Sequence, residues 1–135
     1  MKNFAPSPYD IRAAFAVLQP DLRATPVAVG PTLYESLDRD FDAFHGHWLF
    51  SRYAFSEPWP SWERHPAGDE IVYLLSGDVT FVLEGEDVER EVRLSRPGSY
   101  VIVPRNTWHT ARPHTATEML FITPGEGTEH RKTVD

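Results

Sequence analysis

The sequence predicts an all-β domain, a closed or sandwiched antiparallel barrel that carries a short α-helix at its N-terminal end. From residue 47 onward, apolar residues recur at every second position in short runs, which is the periodicity of strands with one buried face. Glycine, proline, asparagine and charged residues separate these runs, as turns do between short antiparallel strands. The strand-like runs cover residues 47–55, 70–75, 79–83, 88–94, 100–103, 107–112 and 118–123.

Helical periodicity is confined to the N-terminal part of the chain, where it predicts a helix over residues 7–19 on the outside of the sheet. Ser7 can cap this helix, and Pro20 ends the pattern. A second, short helical turn is predicted over residues 33–41. The apolar face of the first helix would consist of Ile11, Ala14, Phe15 and Leu18.

The length of 135 residues fits one domain. Within it, residues 1–44 are predicted to hold the helix and a connecting segment packed on the barrel. Residues 45–123 form the β-barrel itself, and the polar, glycine-containing residues 124–135 are predicted to be a loose C-terminal tail.

The composition argues against several functional classes. Cysteine is absent, which rules out disulfides, thiolate metal sites and cysteine nucleophiles. The net charge of −7 disfavours nucleic-acid binding, which requires basic patches. No apolar run reaches the roughly eighteen residues of a membrane span, and the N-terminus lacks the apolar core of a signal peptide. We therefore expect a cytoplasmic protein that contacts neither nucleic acid nor membrane.

Two short segments contain the side chains that can bind a metal ion. The first contains Glu63, His65 and Glu70, and the second ends at His109. Glu63 and His65 are two residues apart and point to the same side of a strand, while Glu70 and His109 stand near the starts of later strand-like runs. Two imidazoles and two carboxylates suit one divalent ion of Fe, Mn, Zn or Ni without discriminating among them. We predict one such ion per chain.

The spacing of these residues resembles the two signature motifs of the cupin superfamily. In the first motif, G-x5-H-x-H-x3/4-E-x6-G, His65 matches the second histidine, Glu70 the glutamate and Gly77 the closing glycine. The resemblance covers roughly residues 45–123 and implies a jelly roll, or double-stranded β-helix, that binds a metal ion. In the second motif, G-x5-P-x-G-x2-H-x3-N, the matching residues are Gly98, Pro104 and His109.

Four positions depart from these motifs. Glu57 replaces the leading glycine, Pro113 replaces the final asparagine, and Asn106 replaces a turn glycine, which is tolerable because asparagine also accepts positive φ. Glu63 replaces the first histidine. As a ligand, Glu63 would complete the neutralisation of a divalent ion and make it a weaker Lewis acid. As a non-ligand, Glu63 is a candidate catalytic residue, a general base beside the ion.

His45 and His47 form another histidine pair, but no glutamate follows at the distance that the motif requires. This favours a pair of surface histidines. The alternative is that His47 points into the barrel and replaces the missing histidine ligand.

Function stays open at this level because cupins differ widely in what they do. One hypothesis is a metal-dependent enzyme, such as an Fe(II) or Mn(II) dioxygenase, that acts on a small organic molecule in an apolar pocket lined by aromatic residues. Another is a non-catalytic sensory cupin that binds a metal or a small molecule. A metal-independent sugar-modifying cupin is disfavoured, because such enzymes typically need a histidine–aspartate or tyrosine pair in place of the ligand set.

A homodimer is also predicted. The aromatic-rich run at residues 48–55 offers more apolar surface than one small barrel needs, and the resemblance implies pairing through the sheets.

Overall fold

The computed structural model describes residues 7–133, so that residues 1–6 and 134–135 lie outside the description. Within these residues the chain is built mainly from strands. Its elements are β1 (Ala14–Leu18), β2 (Ala24–Ala28), α1 (Leu33–Asp40), a 3₁₀ turn (Asp42–Phe44), β3 (Trp48–Phe55), β4 (Ser61–Arg64), β5 (Glu70–Ser76), β6 (Val79–Glu84), β7 (Glu89–Leu94), β8 (Tyr100–Val103), β9 (His109–Pro113), β10 (Thr117–Thr123) and β11 (Glu129–Lys132).

The strands form two antiparallel sheets that share one core. The six-stranded sheet has the order β2-β1-β3-β10-β5-β8, and the five-stranded sheet has the order β11-β4-β9-β6-β7. The sheets are not closed into a barrel in the described part of the chain, so the fold is the sandwiched form of the predicted jelly roll. The shared core contains Val72, Leu74, Met119 and Phe121 from the larger sheet and Val79, Phe81, Leu94 and Ala111 from the smaller one.

The helix predicted over residues 7–19 is wrong, because Ala14–Leu18 is a strand that pairs with β2 on one side and β3 on the other. The helical pattern put Leu18 on the buried face and left Val17 off it. In the structure Val17 is 0% exposed and Leu18 is 36% exposed, which is the two-residue alternation of a strand. Pairing with β3 therefore overrides the local helical pattern. The short N-terminal helix of the fold is Leu33–Asp40, where the second helical turn was predicted.

The helix α1 is fixed by an apolar stripe four residues apart. Leu33 and Leu37 are buried against Phe15, Phe44 and Leu49, which joins the helix to strands β1 and β3. Each fully buried side chain of this kind contributes about 1.5–3 kcal/mol relative to exposure. Among the described residues, no helix has the length and apolar character needed to cross a bilayer.

The C-terminal segment is not the loose tail that was predicted, because Glu129–Lys132 pairs with β4 along its whole length. The guanidinium of Arg131 lies over two indole rings, 5.1 Å from the ring centre of Trp62 and 4.7 Å from that of Trp108. Arg131 also forms an ion pair with Glu84. These contacts and the strand ladder hold β11 at the edge of the five-stranded sheet.

Two turns near the motifs require a left-handed backbone. Gly77, between β5 and β6, has a φ of 103°, and a Cβ at this position would lie 2.5 Å from the carbonyl oxygen of Ala116. Asn106 has a φ of 61°, as expected for an asparagine that replaces a turn glycine. The Asn106 N–H donates to the carbonyl oxygen of His65 at 3.0 Å, so this turn also holds the end of β4.

Candidate metal centre

Strand pairing within the five-stranded sheet brings Glu63 and His65 beside His109, and Glu70 reaches them from β5 of the six-stranded sheet. Glu63 on β4 is the register partner of His109 at the start of β9, and His65 directly follows β4. Ligand atoms of Glu63, His65 and His109 lie within 4.8 Å of one another. Glu70, at the start of β5, reaches both imidazoles, with oxygens 3.3 Å from His65 Nε2 and 3.1 Å from His109 Nε2. We call these four residues, a candidate ligand set for one ion, the metal cluster.

Burial differs within the metal cluster. His65, Glu70 and His109 are buried, whereas Glu63 is partly exposed. A buried carboxylate is costly without partners, and Glu70 has one in Thr123, whose hydroxyl donates to Glu70 Oε2 at 2.6 Å. One oxygen of Glu70 is therefore hydrogen-bonded, and the other faces His109.

Hydrogen bonds fix the proton positions of the two buried histidines. Thr128 donates its hydroxyl proton to the carbonyl oxygen of Gly125 at 2.9 Å, so it must accept from His65 Nδ1, which lies 2.8 Å away. The carbonyl oxygen of Thr107 can only accept, so His109 Nδ1, at 3.0 Å, is also a donor. In their neutral forms both rings therefore present the Nε2 lone pair to the metal cluster, as metal ligands do.

Three buried atoms of the metal cluster have no hydrogen-bond partner among the described residues. They are His65 Nε2, Glu70 Oε1 and His109 Nε2. His109 Nε2 and Glu70 Oε1 are only 3.1 Å apart, but they lack the geometry of a hydrogen bond. Buried polar atoms in proteins are rarely left in this state. A divalent ion between them would bind all three, so this donor set fits the ion.

The same contacts shift the protonation of Glu70 and His109. Burial raises the pKa of Glu70, but its close polar contacts with the imidazoles of His109 and His65 outweigh burial and bring this pKa to about 2. Burial lowers the pKa of His109, and its contact with Glu70 reverses this into a net rise. Glu70 is therefore ionised at neutral pH, which is the form that binds a metal ion, and a cation competes with a proton for His109 Nε2.

A family model described as a cupin domain matches residues 51–125, which is more than half of the chain. The chain belongs to the cupin superfamily. The matched residues include the whole metal cluster, and cupins commonly bind a metal ion. No curated protein sequence matches this cupin.

Solved structures share the fold at low sequence identity. A mutant of Bacillus subtilis oxalate decarboxylase has a TM-score of 0.51 at 14% identity, with 63% of this chain and 23% of that chain covered. Oxalate oxidase in complex with the substrate analogue glycolate has a TM-score of 0.50 at 17% identity, with 61% and 45% covered. A cupin superfamily protein from Desulfitobacterium hafniense has a TM-score of 0.47 at 22% identity, with 56% and 65% covered. This cupin spans less than two thirds of each of these proteins, and its likeness to the oxalate decarboxylase and the oxalate oxidase shows the fold alone.

Glu63, which stands at the first histidine position of the cupin motif, lies between two imidazoles. Its Oε2 is 3.9 Å from His65 Nε2, and its Oε1 accepts a hydrogen bond from His130 Nε2 at 3.1 Å. His130 lies on β11, which the sequence did not indicate because Glu129–Lys132 is entirely charged or polar and has no apolar alternation. Thr128, in the loop directly before β11, was also missed, because the segment was predicted to be a loose tail.

His45 and His47 lie outside the metal cluster. His47 is buried rather than on the surface, with its Nδ1 donating to the carbonyl oxygen of His45 at 2.7 Å. Its ring packs at 5.7 Å from Phe41 and 5.4 Å from Phe44, in the N-terminal part of the structure. His45 is exposed and pairs with Glu126 at 2.9 Å. Within the described residues, His47 therefore does not replace the missing histidine ligand of the metal cluster.

A cavity of about 870 Å³ opens onto the metal cluster, and Glu63, His65 and Glu70 line it. Trp59 connects the cavity to the core, with its ring centre 6.3 Å from that of His109. This arrangement is typical of a small-molecule site, in which apolar walls surround a few polar groups. The aromatic residues of its walls are Phe15, Tyr34, Phe44, Tyr53, Trp59 and Phe121.

Proposed function

We propose that this cupin is a metal-dependent enzyme that acts on a small organic molecule in the cavity beside the metal cluster. The observation that carries the proposal is the convergence of three buried, unpartnered ligand atoms, His65 Nε2, Glu70 Oε1 and His109 Nε2. A purely structural polar cluster would satisfy these atoms with hydrogen bonds. The proposed cofactor is one divalent ion of Fe, Mn, Zn or Ni per chain.

The specific activity that we propose is that of a dioxygenase. His65, His109 and Glu70 make up the two-histidine, one-carboxylate ligand set that is typical of non-haem Fe(II) oxygenases. When bound, a divalent ion supplies Lewis-acid activation and leaves positions free for substrate and dioxygen.

The remaining residues orient the ligands and the substrate. Thr128 and the carbonyl oxygen of Thr107 hold the two imidazoles with Nε2 toward the metal cluster. Thr123 occupies one oxygen of Glu70 and leaves the other for the ion. Glu63, partly exposed and 3.9 Å from His65 Nε2, is placed to serve either as fourth ligand or as general base toward a substrate in the cavity.

Metal analysis of protein purified without chelators tests the cofactor. We expect close to one divalent ion per chain, bound reversibly and removed by a chelator. Oxygen-consumption screening of the Fe(II)- and Mn(II)-loaded protein over small organic molecules tests the reaction. Protein that contains no metal, and that takes up none when Fe(II) or Mn(II) is added, contradicts the proposal.

A non-catalytic sensory cupin is the second candidate, and the second carboxylate favours it. If Glu63 binds the ion together with Glu70, the two charges neutralise a divalent cation and weaken it as a Lewis acid. Metal-loaded protein that binds organic ligands but consumes neither ligand nor dioxygen supports this candidate over the enzyme.

We also propose a homodimer formed through the outer face of the six-stranded sheet. Tyr73 pairs with Tyr100 and Ile71 with Ile102, and register places their side chains on one face with those of Leu120 and Ile122. Tyr100 and Ile102 are both more than half exposed, and contiguous apolar surface of this kind marks an interaction site. Light scattering at micromolar concentration should give twice the monomer mass of 15.4 kDa, and a mass near 15.4 kDa contradicts the dimer.

A further inference from the structure

The cavity has an outer part that the cupin motifs do not supply. Its lining residues there come from β1, α1, the 3₁₀ turn and β3, and all of them precede the matched residues 51–125. The buried ones belong to the cluster that joins α1 to β1 and β3, whereas Tyr34 is exposed. We call this surface the N-terminal wall; it consists of Phe15, Leu33, Tyr34, Leu37, Phe44 and Leu49.

The charged groups that line the cavity do not favour an anion. Apart from histidines, the charged residues of the described lining are Asp38, Glu63, Glu70 and Arg52. Arg52 shares its charge with Glu118, with its Nη2 at 2.5 Å from a carboxylate oxygen, while its buried Nε has no hydrogen-bond partner among the described residues. Glu63 and Glu70 together offset the charge of a divalent ion, and Asp38 leaves the lining negative. An anionic ligand would therefore lose its hydration and meet three carboxylates, while the one guanidinium of the described lining already shares its charge with Glu118.

From these observations we infer that the cavity binds an uncharged, predominantly apolar molecule, such as a neutral aromatic compound with one hydroxyl or carbonyl oxygen. The oxygen lies at the metal cluster, and the apolar body lies against the N-terminal wall. The position of the oxygen rests on the proposed function, whereas the apolar contacts do not require the ion. Small dicarboxylates are disfavoured as ligands by the same charges.

A pair of fluorescent probes with one scaffold tests the inference. N-phenyl-1-naphthylamine is uncharged, and 8-anilino-1-naphthalenesulfonate adds one sulfonate to the same two ring systems. Titration of the full-length, metal-loaded protein should show tighter binding of the neutral probe by on the order of tenfold or more, because burial of an unpaired charge is costly. Equal or tighter binding of the sulfonate, or no binding of the neutral probe, overturns the inference.

Substitutions in the N-terminal wall test whether the neutral probe binds there. Leu37→Glu should weaken the neutral probe by on the order of tenfold or more, since it places a charge in an apolar wall. Tyr34→Glu should act in the same direction, and folding should tolerate it because this ring is 68% exposed. Val88→Glu is the matched control, since it places the same charge at a position of similar exposure, 66%, that does not line the cavity. Unchanged probe binding in both wall variants, or a loss only in the control, overturns the inference.

The double variant His65→Ala, His109→Ala separates this inference from the proposed function. It should lose metal and retain the neutral probe. A wild-type protein that binds the neutral probe but no metal contradicts the proposed function alone. A protein that binds metal but prefers the sulfonate contradicts this inference alone.

A second observation concerns β11, which lies beyond the matched residues and contributes His130 to the edge of the cavity. Strand register places Glu63 between His130 on β11 and His109 on β9. His130 Nε2 donates to Glu63 Oε1 at 3.1 Å, while Glu63 Oε2 faces His65 Nε2 at 3.9 Å. We propose that His130 is a positioning residue, which occupies one oxygen of Glu63 and leaves the other directed at the metal cluster. This second proposal rests on the proposed function.

Cobalt binding provides a readout that does not depend on turnover. His130→Phe should lower Co(II) affinity, measured by chelator competition, by about tenfold to a hundredfold and alter the visible ligand-field bands. His130→Gln, which keeps an N–H donor, should restore most of both. His45→Gln is the matched control, because it removes another exposed histidine–glutamate pair, 2.9 Å from Glu126 and outside the metal cluster.

The outcomes distinguish the positioning role of His130 from the proposed function. His130 is exposed, so the phenylalanine variant should fold, which circular dichroism checks. Unchanged affinity and spectrum in His130→Phe overturn the positioning role and leave the proposed function intact. A wild-type protein that binds no cobalt contradicts the proposed function and the positioning role together.

Discussion

The matched cupin region and the segments that flank it contribute different chemistry to one site. Residues 51–125 supply all four members of the metal cluster and the carbonyl oxygen of Thr107 that holds His109, whereas Thr128, which holds His65, lies in the C-terminal flank. The flanks supply the N-terminal wall, which is apolar, and His130, which contacts Glu63 from outside. The first region therefore supplies the proposed ligand atoms, and the flanks supply groups that orient two of these ligands and the wall that faces a bound molecule. The cupin motifs therefore predict the ligand residues, and they predict neither the N-terminal wall nor His130.

Removal of both imidazoles is the largest perturbation of the matched region. The double change His65→Ala, His109→Ala should abolish metal binding, because it removes two of the three unpartnered buried ligand atoms. Circular dichroism should still show a folded β-protein, and metal analysis after dialysis against Fe(II), Mn(II) or Zn(II) gives the content. Undiminished metal content would require the whole site assignment to be withdrawn.

A change in the flank should reduce stability without touching the ion. Leu37→Ala removes a buried side chain of α1 and should lower the free energy of unfolding by about 2–3 kcal/mol, the lower part of the range for such substitutions because a cavity already adjoins it. Urea denaturation measures this loss, with metal content unchanged. Leu22→Ala, at a 93% exposed position, is the control and should change stability by less than about 0.5 kcal/mol. Loss of metal from folded Leu37→Ala would contradict the division between the two regions.

Glu63 lies where the two regions meet, and Glu63→Ala distinguishes its two roles. If Glu63 is a ligand, metal affinity should fall by on the order of tenfold or more, since even outer-shell losses typically cost this much. If Glu63 is a general base, the metal content should be unchanged and only turnover should fall. Glu57→Ala, at an exposed position of the matched region, should change neither quantity.

The smallest expected effect involves the two flanks alone. His45 and Glu126 join the segment before β3 to the loop before β11, and a hydrogen bond with Glu126 raises the pKa of His45 above its ordinary 6.5. The pair therefore stabilises the fold fully below about pH 6.5, and the stabilisation is lost as the pH rises through the folded-state pKa. Thermal denaturation should show His45→Gln slightly less stable than wild type at about pH 5.5 and equal to it at about pH 9. A difference that grows with pH would show that the pair has another role.

Much of the β-structure could be predicted because its strands have one buried face. The run predicted over residues 79–83 matches Val79–Glu84, and that over residues 118–123 matches Thr117–Thr123, since alternate residues of these strands enter the shared core. The strand Ala14–Leu18 was missed because its apolar residues also fit a helical period. Only its pairing with β3 decides between the two, and that pairing is not visible locally.

The metal cluster was predictable for a related reason. His65 and Glu70 lie five positions apart across one turn, so local spacing already constrains their distance, and His109 follows a recognisable motif. His130 could not be found in this way, because it reaches Glu63 through the pairing of β11 with β4 across more than sixty residues. A fully polar strand at a sheet edge has no hydrophobic pattern, so its position depends on its partners.

The placement of Arg131 over Trp62 and Trp108 gives β11 an optical signature. Trp62 is buried and immediately precedes Glu63 in the chain, so release of β11 would expose an indole to water next to the metal cluster. Water around an indole shifts its emission to longer wavelength. Intrinsic fluorescence of a variant with Trp59 and Trp48 replaced by phenylalanine would therefore report, in real time, whether the strand that carries His130 is attached to the sheet.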